Sequence, residues 1–191
     1  NLNSGRQLDV TQGLGTSTAA LACGGFNPSS SPQQIDLTET WNGTNWTEVN
    51  ELSDKRFSGG TAGTNTAGLI FAGNPSTPPI NTANTELWNG TNWTEVNNLN
   101  TSRREIAGSA GDLNTAALCF GGNPAPSGQT ELWNGTNWTE TSDLNTARKL
   151  LGSSTGTGSA TALAFGGTPP RTAVTEEFTN TATITKSIST S

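Results

Sequence analysis

Trp41-Asn42-Gly43-Thr44-Asn45-Trp46-Thr47-Glu48 is spelled again, letter for letter, from Trp88 and from Trp133, and a degenerate copy begins at Phe178. The steps between copies are 47, 45 and 45 residues. A fixed period of this size marks a repeat architecture and has to be read before any single residue. All six tryptophans fall in the three full copies. They count as repeat positions before they count as ligand sites.

Other residues recur in phase with this stretch. An arginine opens each unit: Arg6, Arg56, Arg103 and Arg148. A Gly-rich run follows, then a short apolar run ending in glycine, at 19–25, 68–73, 116–122 and 161–167. After a Pro-rich loop comes Thr-Glu two residues before the first aromatic, with the glutamates at Glu39, Glu86, Glu131 and Glu176 and the aromatics at Trp41, Trp88, Trp133 and Phe178. The apolar runs are short, rich in Thr, Val, Leu and aromatics, and bounded by Gly, Pro and Asn, which predicts strands. No window carries a sustained helical stripe. The Asn-Gly step predicts a hairpin because both residues tolerate positive φ. The two Trp would then flank a four-residue loop. Each unit therefore predicts about four strands: one after the Arg, one ending in Gly-Gly, one carrying Thr-Glu-x-Trp and one carrying Trp-Thr-Glu-Val.

Four strands per unit of about 46 residues suggest propeller blades. The internal order, Arg, apolar-Gly-Gly, Glu-x-aromatic, then Trp, resembles the Kelch repeat, from Leu2 to about Ile188. Trp stands where that family usually has Tyr, and Ala72 replaces one glycine of the pair in the second unit. The Trp-Asn-Gly-Thr-x-Trp-Thr-Glu wording and the Thr-rich end resemble Kelch-like repeat proteins of tailed phages of marine bacteria. The resemblance implies an all-β chain, 1–191, forming a single propeller domain of four four-stranded antiparallel blades at about 2–50, 51–97, 98–142 and 143–189. These would close as a small ring or belong to a larger one. It also implies a non-enzymatic structural or binding module of a virus particle, in the virion or outside the cell. Partners would be other virion or surface proteins, further copies of itself, or a glycan. The alternative is a secreted or cell-surface structural protein that assembles through its propeller faces.

Composition narrows the classes. The net charge is −6, charged residues are 13% and Lys occurs three times, which argues against a nucleic-acid binder needing a basic face. No apolar run approaches about 18 residues, so no membrane insertion is predicted. The chain does not start with Met, so a processed N-terminus or a fragment is expected. The last unit replaces the repeated stretch by Phe178-Thr-Asn-Thr-Ala-Thr-Ile-Thr, reads as a strand around 183–185, and fits a terminal capping repeat. Hydrophobic residues make up only 30%, but the 23 glycines suit close packing between sheets. A unit alone could not bury its faces.

Cys23 aligns with Phe71, Phe120 and Phe165, and Cys119 with Ala22, Ile70 and Ala164. They occupy adjacent positions of the same strand, on opposite faces, in units that are not neighbours. Two free thiols in apolar surroundings are predicted, since a disulfide needs Cα atoms within about 7 Å. Asn42, Asn45, Asn89, Asn92, Asn134 and Asn137 fit Asn-x-Thr, but the hairpin accounts for the same residues.

Histidine and tyrosine are absent, so no imidazole base, His-based triad or imidazole metal site is available. Two cysteines cannot build a structural zinc site, and the aspartates show no calcium-loop spacing. No catalytic residue, metal or cofactor is therefore assigned. The repeated glutamates read as structural acceptors for the repeated arginines or for loop amides. What varies is the loop between Gly-Gly and Thr-Glu: 12 residues at 26–37, 11 at 74–84, and 7 at both 123–129 and 168–174. Loops on a rigid scaffold carry recognition, and proline lowers the entropy lost on binding. Gln33, Gln34, Asp36, Asn81, Gln129 and Arg171 are the candidate ligand-binding side chains. The alternative is that loops drift when nothing constrains them.

Overall fold

In the computed structural model, residues 1–8, 13–110, 113–154 and 161–179 are described. Among them every regular element is a strand, and every pairing of strands is antiparallel. The first unit holds β1 (Gly13–Gly15), β2 (Ala20–Cys23), β3 (Thr38–Trp41) and β4 (Trp46–Val49). The second opens with the short β5 (Arg56–Phe57), which pairs with β8 (Asn74–Pro75). Its main strands are β6 (Gly60–Gly63), β7 (Gly68–Phe71), β9 (Thr85–Trp88) and β10 (Trp93–Val96). The third unit holds β11 (Ala107–Ala110), β12 (Ala117–Phe120), β13 (Thr130–Trp133) and β14 (Trp138–Glu140). The fourth holds β15 (Gly152–Ser153), β16 (Thr161–Phe165) and β17 (Thr175–Thr179). In each sheet the strands lie in chain order, so each is a meander. Of the four unit sheets three have four strands and the last has three, and β5 with β8 forms a separate two-stranded sheet. The strand expected at 183–185 lies outside the described residues.

The repeated octapeptide forms the hairpin between third and fourth strands, with Trp41 opposite Trp46, Trp88 opposite Trp93 and Trp133 opposite Trp138. The ring centroids of these pairs are 5.6, 5.3 and 5.4 Å apart. The hairpin forms at the Asn-Gly step as expected, with the two residues in different roles. Only the glycines take positive φ, 91° at Gly43 and 93° at Gly90 and Gly135. The asparagine acts through its side chain: Asn42 Oδ1 accepts the N–H groups of Thr44 and Asn45, both at 2.9 Å. Asn89 and Asn134 do the same one and two units on. This local bond offers the backbone a turn in place of a continued ladder.

Alternation along the second strand sends its two sets of side chains to two neighbouring sheets. Leu21 and Cys23 pack with Ile70, Trp88 and Trp93 of the next unit. Leu69 and Phe71 pack with Ala117, Cys119, Trp133 and Trp138. Leu118 and Phe120 pack with Ala162, Ala164 and Phe178. The core is thus three layers between successive sheets. The inner strands carry the same order, β1 against β6, β6 against β11, and β11 against β15 and β16. No comparable contact joins the fourth sheet to the first among the described residues. At the ends of the row the corresponding side chains are uncovered: Leu163 and Phe165 are 40% and 44% exposed, and Trp41 and Trp46 are half-buried.

The tryptophans tie the layers together. Trp93 Nε1 donates to Thr38 Oγ1 of the preceding unit, and Trp138 Nε1 to Thr85 Oγ1, each at 3.0 Å. The first Trp of each pair donates instead to its own unit's inner turn, Trp41 to Ser17 O, Trp88 to Asn65 O and Trp133 to Asn114 O. Asn50 and Asn97 reach forward from the end of the fourth strand to the next hairpin, bonding Asn92 Oδ1 at 2.7 Å and Asn137 Oδ1 at 2.8 Å.

The glycine pair has a backbone reason. Gly24, Gly121 and Gly166 have φ of 64°, 69° and 68°, and Ala72 holds the same left-handed conformation at 60°. The second glycine donates its N–H to the carbonyl of the next unit's arginine: Gly25 to Arg56, Gly73 to Arg103 and Gly122 to Arg148. A Cβ on Gly122 would lie 2.7 Å from Ile106 Cγ2 and 2.8 Å from the Arg104 carbonyl oxygen, at φ 110°. Gly122→Ala therefore loses about 2 kcal/mol or more of stability. Ala72→Gly removes about 1–2 kcal/mol of left-handed strain. It also gives up a buried methyl at about 0.8 kcal/mol and adds glycine entropy of about 0.5–1 kcal/mol. That change stays within about 1 kcal/mol of neutral by the same balance. Urea denaturation of the two variants checks both values. A stable Gly122→Ala protein would refute the close approach.

Cys23 and Cys119 are free and fully buried. Their surroundings are less uniformly apolar than the sequence suggests, since guanidinium groups lie near both. Burial pushes both thiols up to about 12, with Arg56 and Arg6 pulling the other way at Cys23 and Arg103 at Cys119. A raised folded pKa contributes stability that is present below the ordinary thiol value of 9.0. That contribution is lost as the pH rises above it. At pH 8 neither thiol of the folded chain reacts with iodoacetamide, and both react once urea unfolds it. Mass spectrometry reads the adducts, and an adduct on the folded chain would contradict this burial.

Candidate functional site

The meander places two kinds of connection at opposite ends of every sheet. The Trp hairpins share one end with the inner turns. The four Pro-rich loops share the other end with the arginine segments. The second end is the candidate site, because it is where the units differ.

Its floor is the set of repeated Arg–Glu pairs. Arg6 bonds Glu39, Arg56 bonds Glu86 at 2.5 Å and Arg103 bonds Glu131 at 2.5 Å, while Arg148 Nη1 lies 3.0 Å from Glu176 Oε1 as an ion pair without hydrogen-bond geometry. Glu39, Glu86, Arg56 and Arg103 are wholly buried, and Arg148 and Glu131 nearly so. The second carboxylate oxygen takes a loop amide three residues before the arginine, from Asn3, Ser53, Asn100 or Asn145. The sequence pointed to loop amides as donors without singling out these four, although they recur in phase with the arginine. At Glu39 burial raises the carboxyl pKa. The Asn3 amide, Arg6 and the Ser4 amide outweigh it and hold the group below its ordinary value. Burial pulls the Arg56 guanidinium down while Glu86 and Asp54 push it back. This charge-assisted network holds the strands that carry the loops.

Above this floor the first three loops are fastened to the following unit. Asp36 meets Lys55 Nζ at 3.2 Å, and Asn81 Oδ1 accepts Arg104 Nη1 at 2.8 Å. Two of the six candidate side chains are therefore already engaged. Gln129 is half-buried, and its carbonyl accepts Arg103 Nη1 at 2.7 Å. Gln33 is exposed, with its amide near the Pro28 carbonyl at 3.3 Å. Gln34 is half-buried and bridges Phe26. Arg171 is exposed and makes no hydrogen bond or ion pair to a described residue. The six do not converge on one point. They are distributed along the row of loops.

Residues next to the arginines add to this surface. Lys149 Nζ meets Glu105 Oε2 at 2.6 Å, and Arg104 Nε meets Glu105 Oε1 at 3.4 Å. The polar line Asn81–Arg104–Glu105–Lys149 therefore crosses units two, three and four. Between units one and two the equivalent place is aromatic, with Phe26 and Phe57 centroids 5.1 Å apart. The sequence signal for these residues is that the position after each arginine varies (Gln7, Phe57, Arg104, Lys149). A shallow cavity of about 350 Å³ opens at the second loop, lined in part by Asp54, Pro78, Pro79, Asn81, Asn84 and Ser102. Among the described residues no three His, Cys, Asp or Glu side chains gather as metal ligands. No helix there is long and apolar enough to cross a membrane. The arrangement suits hydrogen bonding to a polar ligand over a broad, stiff surface. No family model matches this chain, and no curated protein matches it.

Proposed function

We propose that the chain is a non-enzymatic, Kelch-like propeller module of a virus particle that displays its Pro-rich loops towards a host surface or glycan. The observation that carries this reading is the contrast within each unit. The Arg–Glu floor is repeated four times, while the loops standing on it differ in sequence, two of them also in length, and the first three are fastened to the next unit. A scaffold kept constant beneath variable, pre-stiffened loops favours recognition. The sheet-by-sheet stacking and the Gly-to-Arg backbone bonds support propeller blades. The commitment of each repeated carboxylate to an arginine supports a role without turnover. The test is binding of the full chain to a glycan array and to intact host envelopes, beside Arg171→Ala and Gln33→Ala. A charged hydrogen bond lost to a bound glycan weakens binding by about tenfold or more. Absence of any bound glycan or envelope, or of the chain from purified virions, would sink the reading.

A secreted or cell-surface protein that assembles through its sheet faces is the second reading, favoured by the uncovered Leu163 and Phe165. Sedimentation distinguishes it. Assembly through that face gives concentration-dependent association that Phe165→Ser abolishes, and a monomer at all concentrations rules it out.

A further inference from the structure

The second loop carries polar side chains that the other units lack at the same places. Asp54 stands two residues before Arg56, where the other units have Ser4, Thr101 and Thr146. Asn84 stands one residue before Thr85, where they have Leu37, Gln129 and Val174. The two meet, Asn84 Nδ2 donating to Asp54 Oδ2. They line the cavity of about 350 Å³ together with Asn81, Ser102, Pro78 and Pro79. A carboxylate and the carboxamide that holds it thus arise together in one unit of four, and they arise at a cavity.

Asn84 is committed to the fold. Its Oδ1 accepts Asn98 Nδ2 at 3.3 Å, its amide donates to Thr82 Oγ1 at 3.0 Å and its carbonyl accepts Arg56 Nη1 at 2.7 Å. Asp54 is committed on one side only. Its Oδ2 takes Asn84 and lies 3.8 Å from Arg56 Nη2. Its Oδ1 accepts no hydrogen bond from a described residue, and the side chain is 44% exposed. Asn81 is fixed in the opposite sense. Arg104 can only donate, so the atom it meets at 2.8 Å is Asn81 Oδ1, and the N–H groups of Nδ2 meet no described residue. Ser102 is exposed, with its hydroxyl bonded to no described residue. The cavity therefore offers a held carboxylate oxygen, a held amide donor and a hydroxyl, beside two proline rings.

This set disfavours ions. An anion meets the charge of Asp54. A cation meets a single exposed carboxylate that Arg56 already offsets. Asp54 Oδ1 calls for an O–H donor and Asn81 Nδ2 for an oxygen acceptor, and neighbouring hydroxyls of one ring supply both. The carbon face of such a ring suits the prolines, since sites of this kind combine an apolar wall with a few placed polar groups. We propose that the cavity is a subsite for one neutral hexopyranose, with adjacent hydroxyls on Asp54 Oδ1 and Asn81 Nδ2. The proposal rests on the reading of the loop end as a recognition surface. The sugar is either the end of a surface glycan or free in solution, and the same contacts serve both.

Titration of the full chain with the methyl glycosides of glucose, galactose and mannose, followed by heteronuclear NMR, tests the proposal. At least one of them gives saturable shifts at the amides of Asp54, Asn81, Asn84 and Ser102, with a Kd in about the millimolar range. Asp54→Asn weakens that binding about tenfold or more, because Asn84 Nδ2 holds the new carboxamide by its oxygen and leaves an NH2 group where the acceptor was. Asn81→Asp keeps the Arg104 contact, removes the donor and weakens binding about fivefold. Amide shifts unchanged elsewhere show that each variant keeps its fold, and mapping on the unaltered chain needs no variant. No shift at these amides with any of the three glycosides at about 100 mM, binding that Asp54→Asn leaves intact, or equal shifts from ethylamine would overturn the assignment. A glycan array separates the sources. Capture of glycans ending in the sugar, lost with Asp54→Asn, shows a surface-glycan site. Binding of the free glycoside beside an empty array shows a free-sugar site, and then the host-glycan reading fails while the subsite stands. Array binding that Asp54→Asn leaves intact does the reverse.

Discussion

Glu131→Ala lowers the unfolding free energy by about 3–5 kcal/mol, the typical loss when one partner of a buried ion pair is removed. Arg103 is fully buried, and Glu131 is 1% exposed. The carboxylate accepts Arg103 Nη2 at 2.5 Å, the Asn100 amide at 2.7 Å and Asn100 Nδ2 at 2.9 Å. Alanine would strand a guanidinium charge and an amide away from water, and each must be rehydrated by opening the layer. A domain of ordinary stability has about 5–15 kcal/mol in total, so the variant sits close to unfolding. Glu95→Ala is the control. Glu95 is exposed on the fourth strand, and its loss stays within about 0.5 kcal/mol. Urea denaturation gives both numbers. Equal effects would show that the repeated glutamate is not a keystone of the fold. The same chemistry sets an acid limit. Glu39 titrates below its ordinary 4.5 in the folded chain, so its contribution is present above that pH and is lost as the pH falls through its folded value.

Trp138→Ala costs about 3–5 kcal/mol, and Trp46→Ala costs clearly less, although both are the second tryptophan of an identical octapeptide. Trp138 is 5% exposed, packed on Phe71 and hydrogen-bonded to the preceding sheet. Trp46 is half-buried, with Trp41 as its ring neighbour at 5.6 Å. The difference measures what the preceding sheet contributes, because local sequence and hairpin are held constant. Denaturation of the two variants reads it directly. Equal costs would mean that the tryptophans stabilise their own hairpins and not the layers.

Much of the architecture was legible because it is written several times over. Strand positions, the Trp hairpin, the glycine pair and the Arg–Glu alignment each recur at one period, and four copies of a weak local signal make a strong one. Within-unit reading was weaker wherever a contact joins two units. Asn97 and the hairpin loop it bonds are far apart in the repeat frame, so nothing in a single unit pairs them. The same limit applies to Asp36 with Lys55 and Asn81 with Arg104, which turned candidate ligand groups into fastenings. Arg171 faces the fourth loop's solvent because no fifth unit among the described residues meets it. The Asn-Gly step gave the hairpin, but not how Asn42 serves it: the carboxamide satisfies the turn without left-handed backbone.

Each seated tryptophan also gives the row a direction. A completed sheet offers the Thr hydroxyl and the apolar wall on which the next unit's tryptophan settles, and among the described residues no tryptophan settles on the sheet that follows it. During synthesis the earlier sheet leaves the ribosome first, so every unit emerges onto a surface already shaped to receive it. Removing units from the C-terminal side uncovers empty seats. Removing them from the N-terminal side uncovers tryptophans with nowhere to sit.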